Sequence, residues 1–325
     1  MAIQPHFYFH SPCFDGIVSA VLAWDFLETR QGWTSPILHR VNYDLRESWL
    51  SSKLESPCAV VDFLYHPQAE FWADHHLTTF LDEESRKHFE RRKGPALVYD
   101  ERADSCAGLL WSYLAREFNH RNSRYNEMVQ WAEKIDAARY ESVQEAIFSS
   151  APALRISAGL ALGSAEGYCE ELVRAFRSRS LEQIADRPEV QARFERVQTL
   201  TQAGLDRFTA AARLENDGIV VFDVDGKGAL ISRYAPYYFF PEARYSAGIV
   251  RWEGGTKITT MRNPWREFDS VSLGKICEKL GGGGHQRVGS IMLRGERAGE
   301  ASSMLDRLLT EMRREEKGIE KGEPT

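Results

Sequence analysis

Apolar and polar positions change rhythm twice along the chain. The aromatic run His6-Phe7-Tyr8-Phe9-His10, bounded by Pro5 and Pro12, predicts a buried strand. Val21, Trp24 and Leu27 then recur at helical spacing and predict a helix over residues 17–28. Residues 37–41 and the short apolar run at 58–62 predict two more strands, the second ending in Asp62. A run over 70–74 predicts a fourth, which delivers Asp74, His75 and His76. Runs this short, apolar throughout and polar only at the end, suit a parallel sheet buried on both faces, whose C-terminal edge collects side chains. His10, Asp62 and His75 should therefore converge on one edge.

From residue 103 the rhythm is helical, with helices predicted over 107–118 and 125–138. The second places Met128, Trp131, Ala132 and Ile135 on one face and Asp136 near its end. Residues 151–177 mix both periods and give no assignment. Residues 188–214 read as one long, charged connecting helix. Beyond it, strand pairs are predicted at 218–222 with 229–232, around Asp225-Gly226-Lys227-Gly228, and at 245–252 with 257–262, around Glu253-Gly254-Gly255. A helix over 272–280 leads into Gly281-Gly282-Gly283-Gly284-His285, followed by a strand at 290–293, a helix over 298–314 and a loose charged tail. The pattern predicts an α/β protein. Its N-terminal domain, 1–187, carries a parallel sheet with helices. A helical connector, 188–214, joins it to a smaller C-terminal α/β domain, 215–325.

Composition narrows the function classes. At 325 residues the chain can bury two cores, and 43% hydrophobic with 27% charged residues is ordinary for a soluble globular protein. A net charge of −6 argues against duplex DNA as a partner, while leaving room for a small anion in a local cationic pocket. The five cysteines are scattered without a Cys-x-x-Cys, as expected of reduced cytoplasmic thiols. No basic-then-apolar N-terminal segment suggests a signal peptide. No apolar run approaches the about 18 residues of a membrane span. A cytoplasmic protein without a membrane partner is the expectation.

Adjacent residues on an extended chain face opposite ways, so of His75 and His76 one can bind a metal while the other reaches substrate. Imidazole with carboxylate suits a divalent transition metal. His10-x-x-Cys13-x-Asp15-Gly16 crosses from a strand to a helix start, where anions and metals collect. Taken singly, His10 reads as a strand cap, Asp15 as a helix N-cap, Asp136 as a solvated helix residue and the glycines as a linker. Yet serine is absent from the glycine run, and glycines let backbone N–H groups approach a phosphate.

The ordered set His10-x-x-Cys13-x-Asp15-Gly16, Val61-Asp62, Asp74-His75-His76, Asp136 and Gly281 to His285 resembles the DHH phosphoesterase superfamily over nearly the whole chain. That superfamily includes short-oligonucleotide nucleases, exonucleases, cyclic-dinucleotide phosphodiesterases and manganese pyrophosphatases. The resemblance implies two divalent ions, manganese foremost. His10 and Cys13 would serve the first, Asp15, His75 and Asp136 the second, and Asp62 would bridge them. It implies catalytic roles for Asp62, for His76 on the phosphate and for Asp74 in orienting a histidine. It also implies a substrate held by Gly282, Gly283, Gly284, His285 and Arg262. The activity implied is hydrolysis of phosphodiester bonds in short oligonucleotides or cyclic dinucleotides by water activated between two metals. A phosphomonoesterase, a pyrophosphatase and a non-catalytic nucleotide sensor are the alternatives, and a homodimer is compatible with all of them.

Cys13 departs from the pattern. Relatives usually carry aspartate two residues before Asp15, and the loop from His10 is one residue shorter here. Thiolate favours zinc or iron over manganese at the first site. Beside a dication and a helix N-terminus, Cys13 should ionise below the ordinary thiol range. Arg233 and Arg244 are secondary anion-binding candidates around an aromatic stretch, 234–240, that suits core packing better than base stacking. Cys106 is expected to be a buried thiol outside the site.

Overall fold

The computed structural model describes residues 4–163 and 167–320. It divides into two compact units, one of residues 1–139 with 150–194 and the other of residues 140–149 with 195–325. The first unit opens with β1 (His6–His10), α1 (Phe14–Gln31), β2 (Ile37–Val41), β3 (Cys58–Val61), β4 (Phe71–Asp74), α2 (Glu83–Arg92) and β5 (Leu97–Tyr99). It continues through α3 (Cys106–Phe118) and α4 (Asn126–Asp136). After α5 (Val143–Phe148), which belongs to the other unit, α6 (Pro152–Leu160), α7 (Tyr168–Phe176) and α8 (Leu181–Ala185) complete it.

The five strands run parallel in the order β2-β1-β3-β4-β5. Alternation along each strand feeds two cores. Phe7, Phe9, Ala59, Val61, Phe71 and Ala73 join α1, α3 and α4 on one face. Tyr8, Val60 and Trp72 meet Trp49, Phe63 and Phe89 of α2 on the other. Burial on both faces is why β3 reads as an unbroken apolar run, whereas β2, at the sheet edge, carries the half-buried His39 and Arg40. The helix expected at 17 begins earlier, at Phe14, so that Asp15 and Gly16 lie in its first turn. A Cβ on Gly16 would sit 2.1 Å from the His10 carbonyl oxygen, so only glycine lets α1 start this close to the end of β1. Residues 151–177, unassigned from sequence, include α6 and α7.

Helix α9 (Pro188–Ala211) carries the chain into the second unit. There follow β6 (Ala212–Leu214), β7 (Ile219–Asp225), α10 (Ala235–Phe239), β8 (Tyr245–Trp252), β9 (Gly255–Arg262), α11 (Leu273–Lys279), β10 (Gly283–His285), β11 (Val288–Leu293) and α12 (Ala301–Glu320). The sheet order is β10-β11-β9-β8-β7-β6, with β7 and β8 parallel and the other neighbours antiparallel.

Three expectations change here. The long helix stops at 211, because residues 212–214 pair with β7 as a strand. Residues 229–232 are not a strand, since the two edges of β7 are taken by β6 and β8. That segment packs on α9 instead, where the Leu230 N–H donates to the Leu200 carbonyl at 2.9 Å. The charged tail is helical as far as Glu320, with Glu315 paired to Lys279 at 2.7 Å and Glu316 to Arg244 at 2.6 Å. Residues 321–325 lie outside the described residues.

Helix α9 approaches that extended segment so closely that a Cβ on Gly204 would fall 1.9 Å from the Leu230 carbonyl oxygen. Gly204→Ala, in spite of its better helix propensity, is expected to destabilise the protein by about 1–3 kcal/mol. A urea midpoint equal to or above that of wild type would contradict this.

Candidate metal centre

Because all five strands are parallel, their C-terminal ends share one edge, and the loops there carry the candidate side chains. His10 ends β1, Asp62 follows β3, Asp74 ends β4 and Asp136 ends α4. Asp62 adopts a left-handed backbone, φ 56°, uncommon for a residue other than glycine.

Two trios of potential ligands form. His10, Cys13 and Asp62 bring one donor atom each within 4.8 Å of one another, and so do Asp15, His75 and Asp136. Asp62 connects the trios, with Oδ2 3.3 Å from His10 Nδ1 and Oδ1 3.7 Å from His75 Nε2. His75 Nδ1 must donate to the Ala103 carbonyl at 3.0 Å, which leaves Nε2 as the ring's lone-pair nitrogen. That nitrogen faces carboxylate oxygens of Asp136 at 3.4 Å, Asp15 at 3.7 Å and Asp62 at 3.7 Å. These separations are too long for good hydrogen bonds. No hydrogen-bond donor reaches the buried Asp62 Oδ1 among the described residues. Buried oxygens and an imidazole lone pair spaced around a common point fit a divalent cation.

A third trio, Asp62, Asp74 and His76, also comes within ligating distance. Its chemistry differs, because Asp74 is already saturated. Its Oδ1 accepts from the His75 N–H at 2.8 Å and meets His76 Nδ1 at 2.7 Å, while Oδ2 accepts from Thr79. Burial alone would raise Asp74, but the charge and hydrogen bond of His76 outweigh it and hold this carboxyl below the usual range. The same pairing overcomes the burial that would lower His76 and raises it. Asp74 therefore orients His76 rather than offering itself to a metal.

The remaining acids behave oppositely. Burial, then the neighbouring Asp136, pushes Asp15 up to about 6, although the Cys106 and Ala107 N–H groups donate to its two oxygens at 2.7 and 2.8 Å. Burial, with Asp15 and Asp136, raises Asp62 strongly. Burial and the neighbouring imidazoles drop His10 to about 3, keeping it neutral. Without a cation, burial first, then Asp62, Asp136 and Asp15, lifts the Cys13 thiol well above the ordinary range. The helix N-terminus does not overcome this, so ionisation of Cys13 requires the cation itself.

These shifts set the pH response of the metal-free protein. A carboxyl raised in the folded state holds protons that the unfolded chain has released, so the Asp15 contribution to stability falls as pH rises between about 4 and about 6. His10, held neutral, contributes in the opposite sense, so the Asp15 part is read by difference: the melting temperature at pH 5 minus that at pH 7.5, by calorimetry, should be lower in chelator-treated Asp15→Asn than in chelator-treated wild type. An unchanged pH slope in Asp15→Asn would remove this carboxyl as the cause.

In the second unit the glycine run is no linker. Gly281, φ 84°, ends α11, with its N–H on the Glu278 carbonyl and that of Gly282 on Cys277. A Cβ on Gly282 or Gly284 would come within 2.2 Å of the backbone of β11. Gly283 and His285 lie on β10, both half-buried. Arg262, the anion partner that the resemblance implies, ends β9. It is buried, its guanidinium donates to the Asn263 and Phe268 carbonyls at 2.9 and 3.0 Å, and it lies 4.3 Å over the Phe268 ring. Arg244 is likewise engaged, with Glu316. Tyr237, at the centre of the aromatic stretch, is buried with its hydroxyl on the Met261 carbonyl at 2.6 Å. Cys106 is buried as expected, with its Sγ on the Ala73 carbonyl at 3.4 Å.

Sequence reasoning missed the groups that hold this centre in place. They are the Ala103 carbonyl, the first N–H groups of α3 and the ring of Tyr43, whose centroid lies 5.2 Å from that of His10 and 5.9 Å from that of His76. Ser105, which caps α3 through the Gly108 N–H at 2.9 Å, was the available signal for the second of these.

No family model matches the sequence, and no curated protein matches it. Solved structures do. A pGpG-specific phosphodiesterase, PggH from Vibrio cholerae, aligns over 94% of this chain and 99% of its own with a TM-score of 0.63 and 17% identity. RecJ from Thermus thermophilus, in complex with Mn2+, aligns over 96% of this chain with a TM-score of 0.54 and 15% identity. This chain spans 52% of that RecJ chain. The DHH domain of a protein assigned to a ribosomal-protein family aligns over 95% of this chain and 86% of its own, with a TM-score of 0.54 and 12% identity. With these neighbours and this order of motifs, the chain has the fold of the DHH phosphoesterase superfamily.

Proposed function

We propose that this chain is a metal-dependent phosphoesterase that hydrolyses phosphodiester bonds of short or cyclic nucleotides. The observation that carries the reading is His75 Nε2 facing three carboxylates at 3.4–3.7 Å, with Asp62 linking that cluster to His10 and Cys13. His10, Cys13 and Asp62 would hold one divalent cation, and Asp15, His75, Asp136 and Asp62 a second. When bound, such a pair lowers the pKa of a water and neutralises phosphoryl charge. Asp74 holds His76 by Nδ1, so the opposite nitrogen of a positively biased ring turns towards substrate oxygens. The α3 N–H groups fix both oxygens of Asp15, and the Ala103 carbonyl fixes the tautomer of His75. Manganese suits the carboxylate-rich cluster, and zinc or iron the one containing Cys13. The likeness to a pGpG-specific phosphodiesterase supports a dinucleotide-sized substrate.

The test is a panel. Full-length protein loaded with Mn2+, Zn2+ or Fe2+ is incubated with pGpG, longer oligonucleotides, cyclic dinucleotides, 3′,5′-bisphosphates and pyrophosphate, and the products are identified. Release of mononucleotides from pGpG is the expected result. Turnover confined to pyrophosphate or monoesters, or tight nucleotide binding without turnover, would overturn it.

A further inference from the structure

The first unit gathers Asp15, Asp62, Asp74 and Asp136 around one edge, a setting that repels an anionic substrate unless protein cations share the work. Most arginines around this edge are committed. Arg40 pairs with Glu170 at 2.8 Å, Arg102 with Asp100 at 3.2 Å, and Arg139 with Asp104. Arg46 differs. It is half-buried, yet its side chain makes no ion pair or hydrogen bond with a described residue. Its guanidinium is not sealed in by the fold, so its planar set of donors is open to an anionic ligand.

Arg46 lies in the short turn that follows β2, and β2 pairs with β1 so that Val41 stands opposite His10. The turn is well fixed. The Asn42 side chain accepts from the Asp44 N–H at 2.8 Å, and the Arg46 N–H donates to the Tyr43 carbonyl at 3.2 Å. Just beyond, Trp49 donates to the Leu64 carbonyl at 3.0 Å. Tyr43 leans its ring on His10, Phe63 and His76, with centroids 5.2, 5.4 and 5.9 Å apart. Its hydroxyl lies near enough to Asp74, Asp62, Arg46 and Cys13 to feel their charges. That hydroxyl makes no hydrogen bond with a described residue. The Tyr43 phenol thus stands beside the metal-ligand trios, and the Arg46 guanidinium, one turn on along the same fixed loop, is close enough to that phenol for its charge to act on it.

We propose that Arg46 and Tyr43 form the phosphoryl-oxygen clamp of the first unit, binding a non-bridging oxygen pair of a phosphate ester. The assignment of the reaction rests on the phosphoesterase reading; the anion site itself does not. Arg46 would supply two parallel N–H donors and Tyr43 a single O–H.

The experiment uses full-length, Mn2+-loaded wild type, Arg46→Ala, Arg46→Lys and Tyr43→Phe. Binding of inorganic phosphate is measured by calorimetry, and pGpG hydrolysis by steady-state kinetics. Arg46→Ala is expected to weaken phosphate binding about 10- to 100-fold. It should raise KM by a similar factor while kcat stays within about threefold. Metal content and Tm should match wild type, because Arg46 holds no partner in the fold. Arg46→Lys should recover part of the loss, and Tyr43→Phe should lose less than Arg46→Ala. Phosphate affinity within twofold of wild type in Arg46→Ala at equal metal content overturns the clamp, as does a wild type that binds no phosphate. A wild type that binds phosphate through Arg46 but hydrolyses nothing supports the clamp and overturns the phosphoesterase reading instead.

Discussion

Asp62→Asn is expected to keep the fold and to reduce phosphodiester hydrolysis by about 1,000-fold or more. Asp62 alone stands between the two trios, 3.3 Å from His10 on one side and 3.7 Å from His75 on the other. Asparagine keeps the shape and tolerates the left-handed backbone at φ 56°, so the strand end should survive. What disappears is the negative charge that two neighbouring cations would share. The metal-free variant should melt higher than wild type, because burial together with Asp15 and Asp136 disfavours the Asp62 charge. Higher stability with lost activity is a signature that a damaged fold cannot imitate. Hydrolysis within a few-fold of wild type would remove Asp62 from the mechanism.

Cys13→Ala should lose the cation of the His10 trio and most of the activity, with at least about a tenfold fall in metal affinity. The thiol is half-buried beside Asp62, Asp136 and Asp15, all of which resist its ionisation. A thiolate forms there only with a cation to offset that resistance, so uptake should release a proton and weaken as pH falls. Cys13→Asp should rebuild a carboxylate site and shift the preference from zinc or iron towards manganese. Metal analysis of wild type and both variants, alongside activity with each ion, decides the matter. Unchanged metal content and activity in Cys13→Ala would reduce Cys13 to a helix-start thiol.

How much of this was legible from sequence depended on whether the information was local. Strands β1 and β2 were read at their observed bounds, β1 because Pro5 and Pro12 bracket an aromatic run. The trio-forming side chains were legible because a parallel sheet brings its strand ends to one edge whatever the loops do. Tyr43 and Arg46 carried no such signal, since a three-residue helical turn has no periodicity and its worth lies in what faces it. The carbonyl acceptors of Arg262, one of them six residues on, are likewise invisible in a strand-end motif. Residues 229–232 had the composition of a strand, but β6 and β8 had already filled the edges they would have used.

The hold of α3 on Asp15 also governs when the centre can exist at all. Asp15 is clasped by N–H groups 91 and 92 residues further along, and Asp136 arrives later still. A nascent chain leaves the ribosome from its N-terminus, so His10, Cys13 and Asp15 wait exposed while more than a hundred residues follow. During synthesis these side chains can only capture ions loosely and exchange them. The proposed coordination set would be complete only once α3 and α4 dock, and selectivity for one metal over another would begin there. Which ion such a centre retained would then depend on the supply in the surrounding fluid at that moment, not at the start of translation.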